Sequence, residues 1–317
     1  MSAPKLRTAA VIGTGMMGPG IAVTLAVGGL STRILSRTPE GAARGLAKAL
    51  EQIRVLADNG LATPERAGRA LEILSAGTDF DHTIAAVDLV IESAPEDMEL
   101  KQQLFARMDA LARPEAILAS NTSGLSITEI ASRCRHPERV LTMHFWNPPH
   151  LMPLVEIVRG ARTAEEAVAT VRRLMLDCGK TPVLVKKDRP GQLGNRLQHA
   201  LWREALYIVA EGIADPEDVD LAAKTGFGLR LPVYGIFEHM DAVGLELAFA
   251  VLDYVARDLC SEPRAPAILP EMIRRGRLGA RSGGGFYDWS QRDINAVIRR
   301  RDDFLLEFLR SRFRPQV

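Results

Sequence analysis

The sequence predicts an α/β fold, with a doubly wound, largely parallel sheet followed by a smaller all-helical domain. Three observations predict it. Short β-branched runs alternate with longer helical patterns through the first half of the chain. The glycine pattern Gly13-Thr-Gly15-Met-Met-Gly18 stands between the first strand and the first helix. Strand signals fade after Lys186-Lys187-Asp188-Arg189-Pro190-Gly191, and helical periodicity takes over. A chain of 317 residues holds about two domains at roughly 100–200 residues each, so residues 1–189 are read as the sheet domain and 190–317 as the helical one.

The elements follow in order. Ala9 to Gly13 is an apolar strand, and Met16 to Val27 the helix after the glycine loop. Thr32 to Leu35 is a second strand, and Pro39 to Leu74 a long helical stretch interrupted near Asn59-Gly60. Asp88 to Glu92 (DLVIE) has the continuous apolar character of a buried parallel strand, and Asp97 to Leu111 is helical. Ala116 to Ala119 is a strand, Ile127 to Arg133 a helix, and Val140 to His144 a strand. Leu154 to Val158 and Pro182 to Val185 are strands that flank a helix from Thr163 to Leu176. Beyond the boundary, Leu193, Leu197, Leu201 and Ala205 share one helix face, continued by Ile208 and Val209. Asp215-Pro216-Glu217 reads as an N-cap followed by proline at the first helical position.

Composition narrows the function classes. With 47% hydrophobic and 25% charged residues, the chain buries a sizeable core, which excludes disorder, collagen and coiled coil. Lys and Arg number 40 against 39 Asp and Glu, so no basic surplus points to nucleic acid or an anionic membrane. Cys134, Cys178 and Cys260 are odd in number and far apart. They offer neither a disulfide framework nor a metal-ligand spacing, and a reducing, cytoplasmic setting is expected. The N-terminus reaches a strand-like run without the h-region of a signal peptide, and no apolar stretch approaches the ~18 residues of a membrane span.

The glycine spacing alone is weak, because 26 glycines in 317 residues would produce it about 0.2 times per chain by chance. Its position gives it meaning. Gly13 permits a tight turn, Gly15 lets the backbone of the Met16-Met17 loop approach a pyrophosphate, and Gly18 permits close helix–strand packing. This is the start of a Rossmann-type dinucleotide site. At the end of the second strand, NAD sites place a carboxylate for the ribose hydroxyls. This chain has Ser36-Arg37-Thr38, a hydroxyl beside a guanidinium, which suits a 2′-phosphate. The cofactor is therefore NAD or NADP, with NADP favoured; the alternative is a solvated Arg37 and NAD bound through fewer contacts.

Glu156 stands in the apolar run LVEIV, where a carboxylate is costly unless paired. His144 ends the neighbouring apolar strand, at the edge where a parallel sheet places its active site. Pairing explains both: Glu156 orients the ring, and His144 exchanges a proton with a substrate hydroxyl or carbonyl. The alternative is a satisfied core histidine. Ser120-Asn121-Thr122-Ser123 lies on the same edge and could hold a substrate oxygen or the nicotinamide carboxamide, or else cap the helix at Ile127, for which Ser126 is also placed. Asn147 follows the histidine, and Asn195 could reach across from the first turns of the helical domain.

At this point the chain resembles the L-3-hydroxyacyl-CoA dehydrogenase family, over nearly its whole length. The carrying motifs are GTGMMGPGIA, APEDMELK, SNTSGLSIT, MHFWNPPHLMPLVEIV, PGQLGNRL and LGARSGGGFYDW, in that order. The resemblance implies a catalytic pair at His144 and Glu156, and substrate or proton-relay contacts from Ser123, Asn147 and Asn195. It implies cofactor contacts near the nicotinamide from Glu96 and Lys101, and a homodimer through the helical domain. Three departures stand out: Ser36-Arg37 replaces the family's Asp, Pro190-Gly191-Gln192 replaces its PGF, and the segment Leu231 to Glu238 is longer. The last is more similar to the branch of L-gulonate 3-dehydrogenase and lambda-crystallin, and to a vitamin B6-degradation dehydrogenase, which act on free acids.

The expected function is hydride transfer between a nicotinamide cofactor and an L-3-hydroxyacyl(-CoA) substrate. The alternatives are a small free hydroxy acid as substrate, or a non-catalytic crystallin-like protein. Lys48 and Arg54 could meet CoA phosphates or form a solvated face; Arg203, Arg230 or His150 could meet a free carboxylate. A hydroxyisobutyrate-type dehydrogenase would need a catalytic lysine in a context that Lys101 and Lys224 lack.

Overall fold

The computed structural model describes residues 6–312. β1 (Thr8–Ile12) leads through the glycine loop to α1 (Gly18–Val27) and β2 (Ser31–Leu35). Then follow α2 (Pro39–Asp58), α3 (Pro64–Ile73), β3 (Leu74–Gly77), α4 (Phe80–Ala86), β4 (Leu89–Glu92), α5 (Met98–Leu111) and β5 (Ile117–Ser120). A short α6 (Ile127–Ile130) precedes β6 (Val140–Phe145), β7 (Leu154–Arg159), α7 (Glu165–Asp177) and β8 (Thr181–Val185). The eight strands form one sheet in the order β3-β2-β1-β4-β5-β6-β7-β8. All neighbours are parallel except β6 and β7, which run antiparallel. This is the doubly wound sheet expected from the alternation of strands and helices.

The sheet is covered on both faces, which is why its central strands read as unbroken apolar runs. One face packs Val11, Ile34, Ile91 and Met143 against Ile21 and Leu25 of α1 and Ile53 of α2. The other packs Ala10, Leu35, Val90 and Leu118 against Phe105 and Met108 of α5 and the short α6. The helix starts are where side-chain caps permit. Thr38, Thr63 and Asp97 accept from the amides of Gly41, Arg66 and Leu100 at the heads of α2, α3 and α5.

β3, α4 and α6 differ from the sequence reading. The stretch Pro39 to Leu74 breaks after Asp58, at the Asn59-Gly60 interruption the sequence predicts, and Thr63-Pro64 starts the next helix. Leu74 begins a strand, and β3 and α4 both lie where no element was expected. β3 (LSAG) has four residues and no β-branched side chain; it becomes a strand by pairing with the edge of β2. The helix expected over Ile127 to Arg133 is a single α-turn, continued by a 3₁₀ turn over Ala131–Arg133.

The helices α8 (Gly194–Ala210), α9 (Pro216–Thr225), α10 (Phe227–Arg230), α11 (Ile236–Val243), α12 (Leu245–Val255), α13 (Ile268–Arg274) and α14 (Ile294–Arg312) follow. Packing divides the chain into two units. The first unit runs to Asn195 and takes back the chain from Arg301; the second is Arg196–Arg300. Leu305, Leu306 and Leu309 place the end of α14 with the first unit, because they pack in and against the sheet unit's core. Among the described residues, no helix is long and apolar enough to cross a membrane.

Candidate active site

Strand register builds the site. β6 and β7 pair antiparallel with His144 opposite Glu156, and directly opposed side chains on one face lie within contact distance. His144 Nδ1 lies 2.8 Å from a Glu156 Oε2 that has no solvent exposure. Trp146 Nε1 donates to the same oxygen at 3.0 Å. The other oxygen accepts the backbone amides of Leu193 at 3.0 Å and Gly194 at 2.8 Å. Burial pushes the Glu156 carboxyl up, but hydrogen bonds from His144, the Gly194 amide and Trp146 outweigh it and hold the pKa below the ordinary value. The carboxylate therefore stays ionised. It holds Nδ1 of the ring, which leaves Nε2 as the atom that can exchange a proton with a substrate.

Gly194 is required for this arrangement: a Cβ there would lie 2.5 Å from the Trp146 ring.

The second wall is the loop after β5. Glu96 Oε1 accepts from the Thr122 hydroxyl at 2.5 Å and from the Ser123 amide at 2.9 Å. Asn195 Nδ2 donates to the Ser123 carbonyl at 2.8 Å, so Asn195 acts on this loop from within the first unit. The Ser123 and Asn147 side chains are solvent-exposed at the same sheet edge as His144. Lys101 is 1% exposed and pairs with buried Glu92 at 2.6 Å and Glu96 at 3.3 Å. It therefore sits behind Glu96 and braces it. Asn121 is turned inward as well, with its Oδ1 accepting the Phe145 amide at 2.8 Å, so its side chain ties β5 to β6. Ser126 does cap α6, accepting from the Glu129 amide.

The glycine loop has the shape a dinucleotide needs. Gly13 has φ +114°, and a Cβ there would lie 2.5 Å from the Ser93 carbonyl oxygen. A Cβ on Gly18 would overlap the carbonyl of Gly13. A Cβ on Gly15 meets nothing within 4 Å, so this backbone faces open space at the head of α1. Met16 is exposed beside it, Met17 half-buried. Ser36 is half-buried and Arg37 exposed, at the end of β2. These residues fit a nicotinamide dinucleotide.

His150 is a poor carboxylate receptor: burial, with Lys180 nearby, lowers its pKa to about 4, and its Nδ1 is buried without a partner. Lys48 and Arg54 lie on the exposed face of α2. Arg203 and Arg230 belong to the second unit.

Two supporting residues were not visible as such in the sequence. Gln192 is 4% exposed, takes φ +55° and donates to the Thr122 carbonyl at 2.7 Å. The glutamine that departs from the PGF pattern thus ties the end of the sheet unit to the Ser123 loop. Lys180, buried, donates to the carbonyls of Pro149 at 2.7 Å and Met152 at 3.0 Å. It holds the loop between His144 and Glu156, which Thr24 of α1 also grips through the Pro149 carbonyl.

Comparison with known proteins agrees with this geometry. Residues 8–189 match the family described as "3-hydroxyacyl-CoA dehydrogenase, NAD binding domain", and 191–289 its C-terminal domain. The chain is 34% identical over 297 residues to 5-formyl-3-hydroxy-2-methylpyridine 4-carboxylate 5-dehydrogenase of Mesorhizobium japonicum, covering 92% of this chain and 94% of that protein. It is 36% identical over 289 residues to a probable 3-hydroxybutyryl-CoA dehydrogenase of Bacillus subtilis, covering 91% and 99%. A crystal structure of the 5-formyl-3-hydroxy-2-methylpyridine 4-carboxylic acid dehydrogenase, described as an NAD+ dependent dismutase, superposes with TM-score 0.90 at 33% identity, covering 96% and 98%. The 3-hydroxybutyryl-CoA dehydrogenase structure from Escherichia coli gives TM-score 0.76 at 35% identity, covering 92% of this chain and 61% of that one. This chain belongs to the 3-hydroxyacyl-CoA dehydrogenase family.

Proposed function

We propose that the protein interconverts a 3-hydroxyacyl group and its 3-oxo form, with His144 as acid–base and Glu156 as its support. The observation that carries this is the His144–Glu156 hydrogen bond of 2.8 Å at the substrate edge of the sheet. In the oxidative direction, His144 Nε2 removes the hydroxyl proton, and ionised Glu156 stabilises the imidazolium that forms. Ser123 and Asn147 position the substrate oxygen, and Asn195 and Glu96 hold the Ser123 loop in place. A bound nicotinamide supplies the hydride acceptor or donor. Gly13, Gly15, Met16, Met17 and Gly18 would hold its pyrophosphate, and Ser36 and Arg37 its adenosine end.

The family is one of NAD-binding proteins. For this chain we infer a preference for NADP, because the end of β2 offers a hydroxyl and a guanidinium and no carboxylate. We also infer a homodimer through the helical unit. Its α12 leaves Phe249 and Tyr254 70% and 78% exposed, and Phe237 of α11 is 79% exposed. An apolar surface of that kind marks an interface. The three free cysteines fit a cytoplasmic setting.

A free hydroxy acid is the second reading of the substrate. The TM-score of 0.90 to a dehydrogenase of a pyridine carboxylate, against 0.76 to a 3-hydroxybutyryl-CoA enzyme, favours it. Steady-state turnover decides. The protein is assayed with acetoacetyl-CoA and with free 3-oxo acids, using NADH and NADPH in turn. Turnover of acetoacetyl-CoA supports the thioester reading, turnover of free acids alone supports the second, and turnover of neither contradicts both.

A further inference from the structure

Arg33 stands in the middle of β2, where the sequence reading saw only a strand residue. Its side chain runs toward the substrate edge of the sheet. β2 pairs with β3 so that Leu35 faces Gly77. A Cβ on Gly77 would lie 2.3 Å from Arg33 Nη2 and 3.0 Å from both Cζ and Nε. The guanidinium thus fills the space that a side chain at Gly77 would take. The Gly77 carbonyl accepts the Ser36 amide at 3.0 Å, so the guanidinium lies next to the chain segment that carries Ser36 and Arg37.

Arg33 is half-buried, and its Nε is buried with no acceptor. Among the described residues no carboxylate lies in ion-pair range of it. A buried donor on a permanent cation is costly when unmet, and the place where it goes unmet is the end of β2, where a dinucleotide brings its adenosine ribose. The Nη groups of the same guanidinium are not buried and have no protein partner among the described residues either, and the group they suit is an anion with several acceptor oxygens that a planar guanidinium can meet through two donors. A ribose 2′-phosphate has that chemistry; a ribose hydroxyl does not.

We propose that Arg33 is a second guanidinium of a 2′-phosphate site, acting with Ser36 and Arg37 to select the phosphorylated dinucleotide. This rests on the reading that the chain prefers NADP. Arg37 is exposed and supplies charge from the solvent side; Arg33 is held from the sheet side, in the space vacated by Gly77.

The test uses the full chain and its Arg33→Met and Arg37→Met variants. NADPH and NADH are titrated by nicotinamide fluorescence, and 2′,5′-ADP and 5′-AMP by calorimetry. Arg33→Met is expected to weaken NADPH and 2′,5′-ADP about tenfold or more, the loss of a charge-assisted hydrogen bond. NADH and 5′-AMP should stay within about twofold, which also certifies the fold. An equal loss for both members of each pair, or no loss for either, overturns the proposal. If Arg37→Met abolishes NADPH preference while Arg33→Met leaves it intact, Arg33 has no part and the cofactor reading stands. If the unaltered protein binds NADH as tightly as NADPH, the cofactor reading fails and this proposal with it.

Discussion

Glu156 is a buried carboxylate that four donors keep ionised: one imidazole, one indole and two backbone amides. Glu156→Gln replaces the acceptor that faces His144 Nδ1 with one that cannot stabilise an imidazolium. We expect kcat to fall about 10²–10⁴-fold, the usual contribution of a positioned acid–base, with dinucleotide affinity kept. Steady-state kinetics beside a fluorescence titration measures both; an unchanged kcat would remove Glu156 from the mechanism. His150 gives a second expectation at this scale. Its pKa falls from 6.5 to about 4 on burial, with Lys180, Lys48 and Arg301 adding to the fall and Asp302 opposing it. Between those values the unfolded chain binds a proton that the folded chain refuses, so stability falls as pH drops from 6.5 toward 4. Thermal unfolding of His150→Gln should show a shallower loss over that window than the unaltered protein. The His144–Glu156 pair was legible in the sequence because each stands as a polar residue in an apolar run. Lys180 and Gln192 were not, because each is satisfied by backbone carbonyls distant in the chain, and carbonyls leave no mark in a sequence.

At the scale of elements, the loop between β6 and β7 is held from two sides. Lys180 reaches its carbonyls from the end of α7, and α1 comes close because Gly20 has no side chain: a Cβ there would lie 3.1 Å from the Pro149 ring. Lys180→Met leaves the Met152 carbonyl, and one of two bonds to Pro149, unmade. Unmet buried acceptors cost about 1–3 kcal/mol each, so chemical denaturation should show a loss of that order. Unchanged stability would mean that water replaces the ammonium. The end of α14 is the second test. Leu309 is 7% exposed among the residues of the sheet unit's core. Leu309→Ala should cost about 2–3 kcal/mol by the same measurement. A negligible loss would detach residues 301–312 from the sheet unit. Periodicity located most of these elements and missed β3 and α4, whose short runs become regular only through pairing with β2 and an Asp79 cap. The antiparallel turn of β7 was not readable either, since strand direction is a tertiary property. Yet that turn is what sets His144 opposite Glu156.

For the whole molecule, the helical unit exposes Phe237, Phe249 and Tyr254, on which the proposed homodimer rests. Light scattering on the purified protein should give twice the chain mass, and a monomer at every concentration would contradict the interface. A glycine loop followed by one polar pair on a sheet edge made the fold class and reaction type legible. Substrate size was not, because it depends on how distant side chains gather. On the proposed mechanism, His144 moves the proton of a nicotinamide-linked reaction. The most direct test is turnover by His144→Ala, measured with the substrate that the unaltered protein accepts. We expect kcat to fall by about 10²-fold or more while dinucleotide binding and the melting temperature hold. Turnover within about twofold of the unaltered protein would contradict it.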